Sequence, residues 1–291
     1  MRARPTSLFT EQFKKARSSS DILSASSSPF IIVGTTITGF KDGTAFSGNF
    51  PTIPSTITTI ADDAFYGCTG ISGSLVIPNT ITTIGTNSFA GCTGLKGTLT
   101  FQSPSSVTDI GGGAFNTCGF TGSLVIPNTI TTINAGTFAG CGFTGTLTIP
   151  NSVTSIGPSA FEKCYYLSGS LTIPNSVTDI AEYAFQNCIG LTGSLLIPKS
   201  VRFIDVHAFD GCIGFNGTLS FESQAVISVI NANTFLDCSG FTGTTTVPSS
   251  VTEIKTKAFK GCTSLTEVKW AQGTTIAIDA FEGVQNSSYT P

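Results

Sequence analysis

Nine cysteines and one histidine are the residues of this chain with the most chemistry in them. All nine cysteines fall in one frame, Phe-x-x-Cys, which recurs every 23–26 residues from Phe65/Cys68 to Phe259/Cys262. Thiolate metal sites are built on paired ligands such as Cys-x-x-Cys, and no such pair occurs. Neighbours in a stacked ladder would lie about one strand spacing apart, within the Cα range a disulfide allows. Nine is an odd number, however, and every copy occupies the same apolar, inward position. Buried structural thiols are therefore the expectation, and reduced thiols favour an intracellular or assembly-bound setting over a secreted one. His207 lies in DVHAFDG with Asp205 and Asp210 nearby, but no Ser or Cys nucleophile stands at a spacing that would use it. It reads as a solvated turn histidine, and Asp62, Asp63 and Glu162 read as solvated turn carboxylates. Gly111-Gly112-Gly113 lacks the lysine and the following helix of a phosphate loop, so it too reads as turn. The chain is expected to be no enzyme, with no catalytic residue, no metal and no cofactor.

The elements that position these residues follow from the repeat. One unit runs from Gly169 through Leu171, Ile173, Pro174, Val177, Ile180, Ala184, Phe185 and Cys188 to Leu191. Leu171 and Ile173 alternate with Ser170 and Thr172, the period of a strand with one buried face. Pro174 lacks a backbone donor and ends the pairing. Val177 and Ile180 point inward from a second extended stretch. Ala184, Phe185 and Cys188 are spaced as one short helical or 3₁₀ turn. A glycine precedes the strand in every copy, for example Gly97 and Gly169, which predicts positive φ or close backbone approach. A fixed period near 24 residues means a solenoid, in which each coil buries its apolar side only against its neighbours. Two coils are longer, with FQSPSS at 101–106 and FESQAV at 221–226, and are expected to bulge at one loop edge.

The combination of Ile-Pro, Val-Thr-x-Ile and Ala-Phe-x-x-Cys, clearest in LTIPNSVTSIGPSAFEKC at 147–164, resembles the BspA-like (Treponema pallidum-type) leucine-rich repeat family over residues 50–283. The resemblance implies a right-handed leucine-rich-repeat solenoid with a parallel β-ladder on one face and short 3₁₀ or turn segments elsewhere. It also implies a group rich in surface-adhesion and protein-binding members, with no functional residue carried over position by position. The expected organisation is an arm at 1–29, a solenoid of about ten coils at 30–284 with caps at 30–50 and 265–284, and a tail at 285–291.

Net charge is -3, and no basic stripe suits nucleic acid. No apolar run approaches the length of a membrane helix. The first residues, MRARPTSLFTEQFKKARSSSD, lack the apolar core of a secretory signal, although their basic, Ser-rich composition is also that of an organelle transit peptide. Within the arm, Leu8, Phe9 and Phe13 against Lys14, Lys15 and Arg17 form a short amphipathic element expected to dock in a partner's groove. On the strand face, Thr98/Thr100, Thr146/Thr148, Ser170/Thr172, Thr218/Ser220 and Thr244/Thr246 would stack into two hydroxyl rows, a candidate partner-contact face broken by Val76, Val125 and Leu196. Between Asp63 and Glu162 the only charged residues are Lys96 and Asp109, fewer than a freely solvated surface ordinarily carries. These features point to a structural or protein-interaction scaffold within a large complex. An adhesin-type module for a protein or glycan, favoured if Asn216 and Asn286 carry glycans, and an ice-binding solenoid are the competing readings.

Overall fold

Each coil has three sides, and each side comes from a different local pattern. The first is the Gly-x-Leu-x-Ile-Pro strand. Leu75–Ile77 is buried, exposed and buried in turn, and Leu195–Ile197 repeats that pattern. These strands pair in parallel with the next coil, Leu75 opposite Leu99 and Leu195 opposite Leu219. The preceding glycine serves the two expected purposes in different coils. Gly169 takes a φ of 77°, whereas at Gly97 an added Cβ would lie 2.6 Å from the Ser74 backbone nitrogen.

The second side is Val-Thr-x-Ile. Its two-residue strands, such as Ser155–Ile156 and Asp179–Ile180, stack in parallel with the isoleucines in register, Ile133 on Ile156 on Ile180 on Ile204. The parallel ladder therefore runs along two sides of the body rather than one.

The third side carries Ala-Phe-x-x-Cys and is neither strand nor 3₁₀ helix. Residues two before and two after the phenylalanine are left-handed, as at Ser159 (φ 52°) and Lys163 (φ 57°) around Phe161. The alternation turns successive amides in different directions. Ala160, Glu162 and Cys164 donate back within their own coil, to Gly157, Ser159 and Phe161. Ser159, Phe161 and Lys163 donate outward to Glu182, Ala184 and Gln186 of the next coil. A regular 3₁₀ helix would use every amide internally and leave this side without inter-coil bonds.

The three sides enclose one apolar core running the length of the body. The phenylalanines stack at 5.0–5.7 Å between ring centroids from Phe65 to Phe281. The computed structural model describes residues 28–290. The N-terminal end is closed by an antiparallel hairpin, Phe30–Val33 with Thr36–Phe40, whose Phe30 and Phe40 rings lie 5.9 and 4.7 Å from Phe65. Beyond the last cysteine, Leu265–Ala271 is the longest strand, and Trp270 stacks on Phe281 at 5.0 Å. Within the expected tail at 285–291, the described residues are not bare chain. Ser287–Thr290 pairs in parallel with Val268 through Ala271, because that long strand leaves a backbone edge to be satisfied. In the two longer coils Phe101 and Phe221 replace the usual isoleucine at the core margin, and Gln102 and Glu222 accept from the Asn79 and Lys199 amides of the coil before.

Candidate interaction surfaces

The strand face presents the expected hydroxyl rows. Thr98, Thr100, Thr146, Thr148, Ser170, Thr172, Thr218, Thr244 and Thr246 are exposed, and Ser220 is half-buried. In the inner row hydroxyls pair across coils: Thr98 Oγ1 donates to Ser74 Oγ at 3.4 Å, Thr146 to Ser123 at 3.3 Å and Thr218 to Ser194 at 3.3 Å. The outer row is mixed, with Val76 opposite Thr100, Val125 opposite Thr148 and Leu196 opposite Ser220. All three aliphatics are exposed. The face is thus flat, weakly charged and amphipathic at the scale of single residues. It can pack against another protein with little desolvation cost, since part of its hydroxyl complement is already bonded.

The residues singled out for chemistry have other roles. Every cysteine is a free, buried thiol. From Cys92 onward each Sγ–H donates to the carbonyl of the preceding coil's phenylalanine, as Cys164 to Phe138 at 3.0 Å and Cys188 to Phe161 at 3.1 Å. Burial pushes the Cys164 and Cys262 thiols up to about 12. His207 is not a freely solvated turn residue. It is half-buried, stacks on Tyr183 at 5.0 Å, and holds Asp210 Oδ2 at 2.8 Å through Nδ1 and Asn233 Nδ2 at 3.1 Å through Nε2. Both ring nitrogens are thus engaged by neighbouring side chains of the coil stack. Asp62 accepts from the Thr86 amide of the next coil at 2.7 Å, and Glu162 pairs with Lys163 at 2.6 Å. Among the described residues no group of three or more potential ligand side chains is placed to hold a metal ion, and no helix is long and apolar enough to cross a membrane.

A family model described as the BspA type leucine rich repeat region matches six copies over residues 45–168 and 192–289. The chain belongs to the BspA-type leucine-rich repeat family. Similar solved structures include a leucine rich cell surface protein from Faecalibacterium prausnitzii A2-165, at 25% identity, covering 90% of this chain and 93% of that one with a TM-score of 0.47. The Treponema pallidum leucine-rich repeat protein is 21% identical over 79% of this chain and 82% of that one, TM-score 0.43. The pneumococcal vaccine antigen PcpA is 15% identical over 91% and 88%, TM-score 0.42. No curated protein sequence matches the chain.

Against the BspA-type frame, one group of exposed residues stands out that the sequence reading passed over. Immediately after the cysteine, coils carry Thr69, Thr93, Ser239 and Thr263, but three consecutive coils carry Tyr165, Ile189 and Ile213. All three are exposed, as is Tyr166, at 64%. Their backbones stack directly: the Tyr165 carbonyl lies under Gly190 and the Ile189 carbonyl under Gly214. The signal was present in the sequence as a departure from the frame, legible only once the column was known to face solvent. Phe203, exposed on the Val-Thr-x-Ile side, is a second such departure. The amphipathic arm, Leu8, Phe9, Phe13, Lys14, Lys15 and Arg17, lies outside the described residues.

Proposed function

We propose that this BspA-type leucine-rich repeat protein is a non-enzymatic structural or protein-interaction scaffold that works as a subunit of a larger assembly, its N-terminal arm docking on a partner. The observation that carries this reading is the flat strand face of mixed hydroxyl and aliphatic side chains on a stretch from Asp63 to Glu162 that holds only Lys96 and Asp109 as charges. Depletion of charge with retained apolar groups suits a surface covered by other proteins. From Cys92 onward the thiols, together with His207 and Asp62, are engaged in contacts between coils, which agrees with a scaffold. The test is the state of the protein in its native source. Sizing and stoichiometry of the native material should find it as a fixed-ratio member of a large complex. Recovery only as a free monomer would exclude the assembly reading and favour the adhesin-type module, with the same strand face as its ligand surface.

A further inference from the structure

The exposed stripe Tyr165, Tyr166, Ile189 and Ile213 is apolar, continuous over three coils and bordered by acid. The turn segments that carry and follow it, 159–166, 182–190, 205–214 and 231–240, hold Glu162, Glu182, Asp205, Asp210 and Asp237 against Lys163 and against Lys255, which reaches Asn231 at 3.0 Å from the next coil. Glu162 neutralises Lys163 at 2.6 Å, so four carboxylates face one further cation and the border is acidic as a whole. The same positions in the other cysteine-bearing coils are Thr, Ser or Gly, so the stacked fold does not require large apolar groups here. Tyrosine and aliphatic residues in a desolvatable centre with a charged rim are the composition of an interface centre.

The complement exists in this chain. Leu8, Phe9 and Phe13 supply three apolar side chains, and Lys14, Lys15 and Arg17 follow them directly. We propose that the N-terminal arm of one copy docks on the Tyr165–Ile213 stripe of a second copy, its apolar residues on the stripe and its cations toward the acidic border. This rests on the reading of the arm as a docking element and names its partner.

Reach argues for a second copy over the same one. Phe13 is 15 residues from Ser28, where the described chain begins. A tether of that length spans roughly 20–25 Å on average and about 50 Å at full stretch. The stripe begins five coils from the N-terminal hairpin, roughly 24 Å along the axis before any path around the body. Docking within one chain would use the tether's whole average span on the axial distance alone and stretch it further on the way around the body, whereas a neighbouring copy imposes no stretch. An arm-to-flank contact uses two different surfaces, so it propagates copies head to tail into a ring or an open row.

The test uses the full chain and sedimentation velocity over a concentration series. Phe9→Ser with Phe13→Ser removes the apolar arm, and Ile189→Ser with Ile213→Ser removes the stripe. Serine is already tolerated in that column at Ser239, so unchanged melting confirms that the stripe variant is folded. Wild type should self-associate, more weakly at high salt. Each double variant should associate about ten-fold more weakly or worse. An equimolar mixture of the two variants should recover a one-to-one heterodimer, because one retains the stripe and the other the arm. A wild type that stays monomeric to about 100 µM, a stripe variant that associates as wild type does, or a mixture that fails to pair would each overturn the proposal. If the native chain still sits in a large complex in those cases, the scaffold reading stands and only the partner named here is wrong.

Discussion

Cys164 shows what the repeated thiol is for. Its Sγ–H reaches the Phe138 carbonyl, which already accepts the Cys141 amide within its own turn, so the thiol satisfies the second lone pair of a buried oxygen. Alanine would fill less of the column and serine would place a stronger dipole in an apolar ladder. All nine thiols should resist alkylation in the native state and all nine should react after unfolding without reductant, as counted by a colorimetric thiol assay. Fewer than nine would mean that disulfides form. The same burial fixes a pH dependence. A thiol whose folded value is raised stays protonated in the native state while the unfolded chain loses the proton near pH 8.5. Its stabilising share is thus complete below that pH and is lost as pH rises toward about 12, the value for Cys164 and Cys262. Each such thiol withdraws about 1.4 kcal/mol per pH unit in that window. Melting should fall steeply between about pH 9 and 11, with thiolate absorbance near 240 nm appearing only on unfolding. A flat melting curve with early thiolate absorbance would contradict the burial. Phe161, fully buried and stacked at 5.6 and 5.2 Å on Phe138 and Phe185, should cost about 3–5 kcal/mol on change to alanine. Faster hydrogen exchange should spread to the coils of Phe138 and Phe185, and unchanged exchange there would refute the stacked register.

At the scale of the element, the turn side is held as firmly as the strand sides because its outward amides form a ladder of their own. That ladder requires coils to approach closely where the chain leaves the cysteine. At Gly240 an added Cβ would lie 1.9 Å from the Phe215 carbonyl oxygen, a backbone atom that cannot swing aside. Gly240→Ala should therefore destabilise by at least about 2 kcal/mol by prising two coils apart, more than a surface change of equal size. Gly67→Ala makes a useful contrast. Its Cβ would meet open space, so only the positive φ of 68° opposes it, at about 1 kcal/mol. Chemical denaturation of the two variants gives the comparison. Equal losses would show that the coil-to-coil approach at Gly240 is not as tight as described.

For the whole molecule, stability is a sum of coils and the contacts between neighbours, so the ends decide solubility and the interior decides melting. Among the described residues the first buried one is Phe30, and the hairpin it belongs to covers Phe65. Deleting residues 1–27 should leave the melting midpoint within about 2 °C of the full chain, since no described core residue is lost. Deleting 1–41 removes both hairpin rings over Phe65 and should lower the midpoint and promote aggregation by exposing a strand edge. Light scattering during a thermal ramp separates the two. The shorter deletion should also abolish entry into the native assembly, and normal occupancy without the arm would remove its assigned docking role.

The apolar frame by itself decides the solenoid. Leu171, Ile173, Val177, Ile180, Phe185 and Cys188 recur at fixed offsets, and a period that each coil cannot satisfy alone has only stacking as its outcome. Inward positions were legible for the same reason, as were the exposed hydroxyls of Thr98 or Thr148, which alternate with them. What tertiary structure alone decided is everything that depends on the neighbouring coil. The left-handed residues at Ser159 and Lys163 are not glycines, so nothing local marked the turn ladder, which exists because the outward amides find carbonyls one coil away. His207 looked solvated in its own loop and is held by Tyr183 and Asn233 from the coils on either side. Tyr165, Ile189 and Ile213 are scattered residues in a linear chain. Only stacking at one strand spacing makes them a single surface.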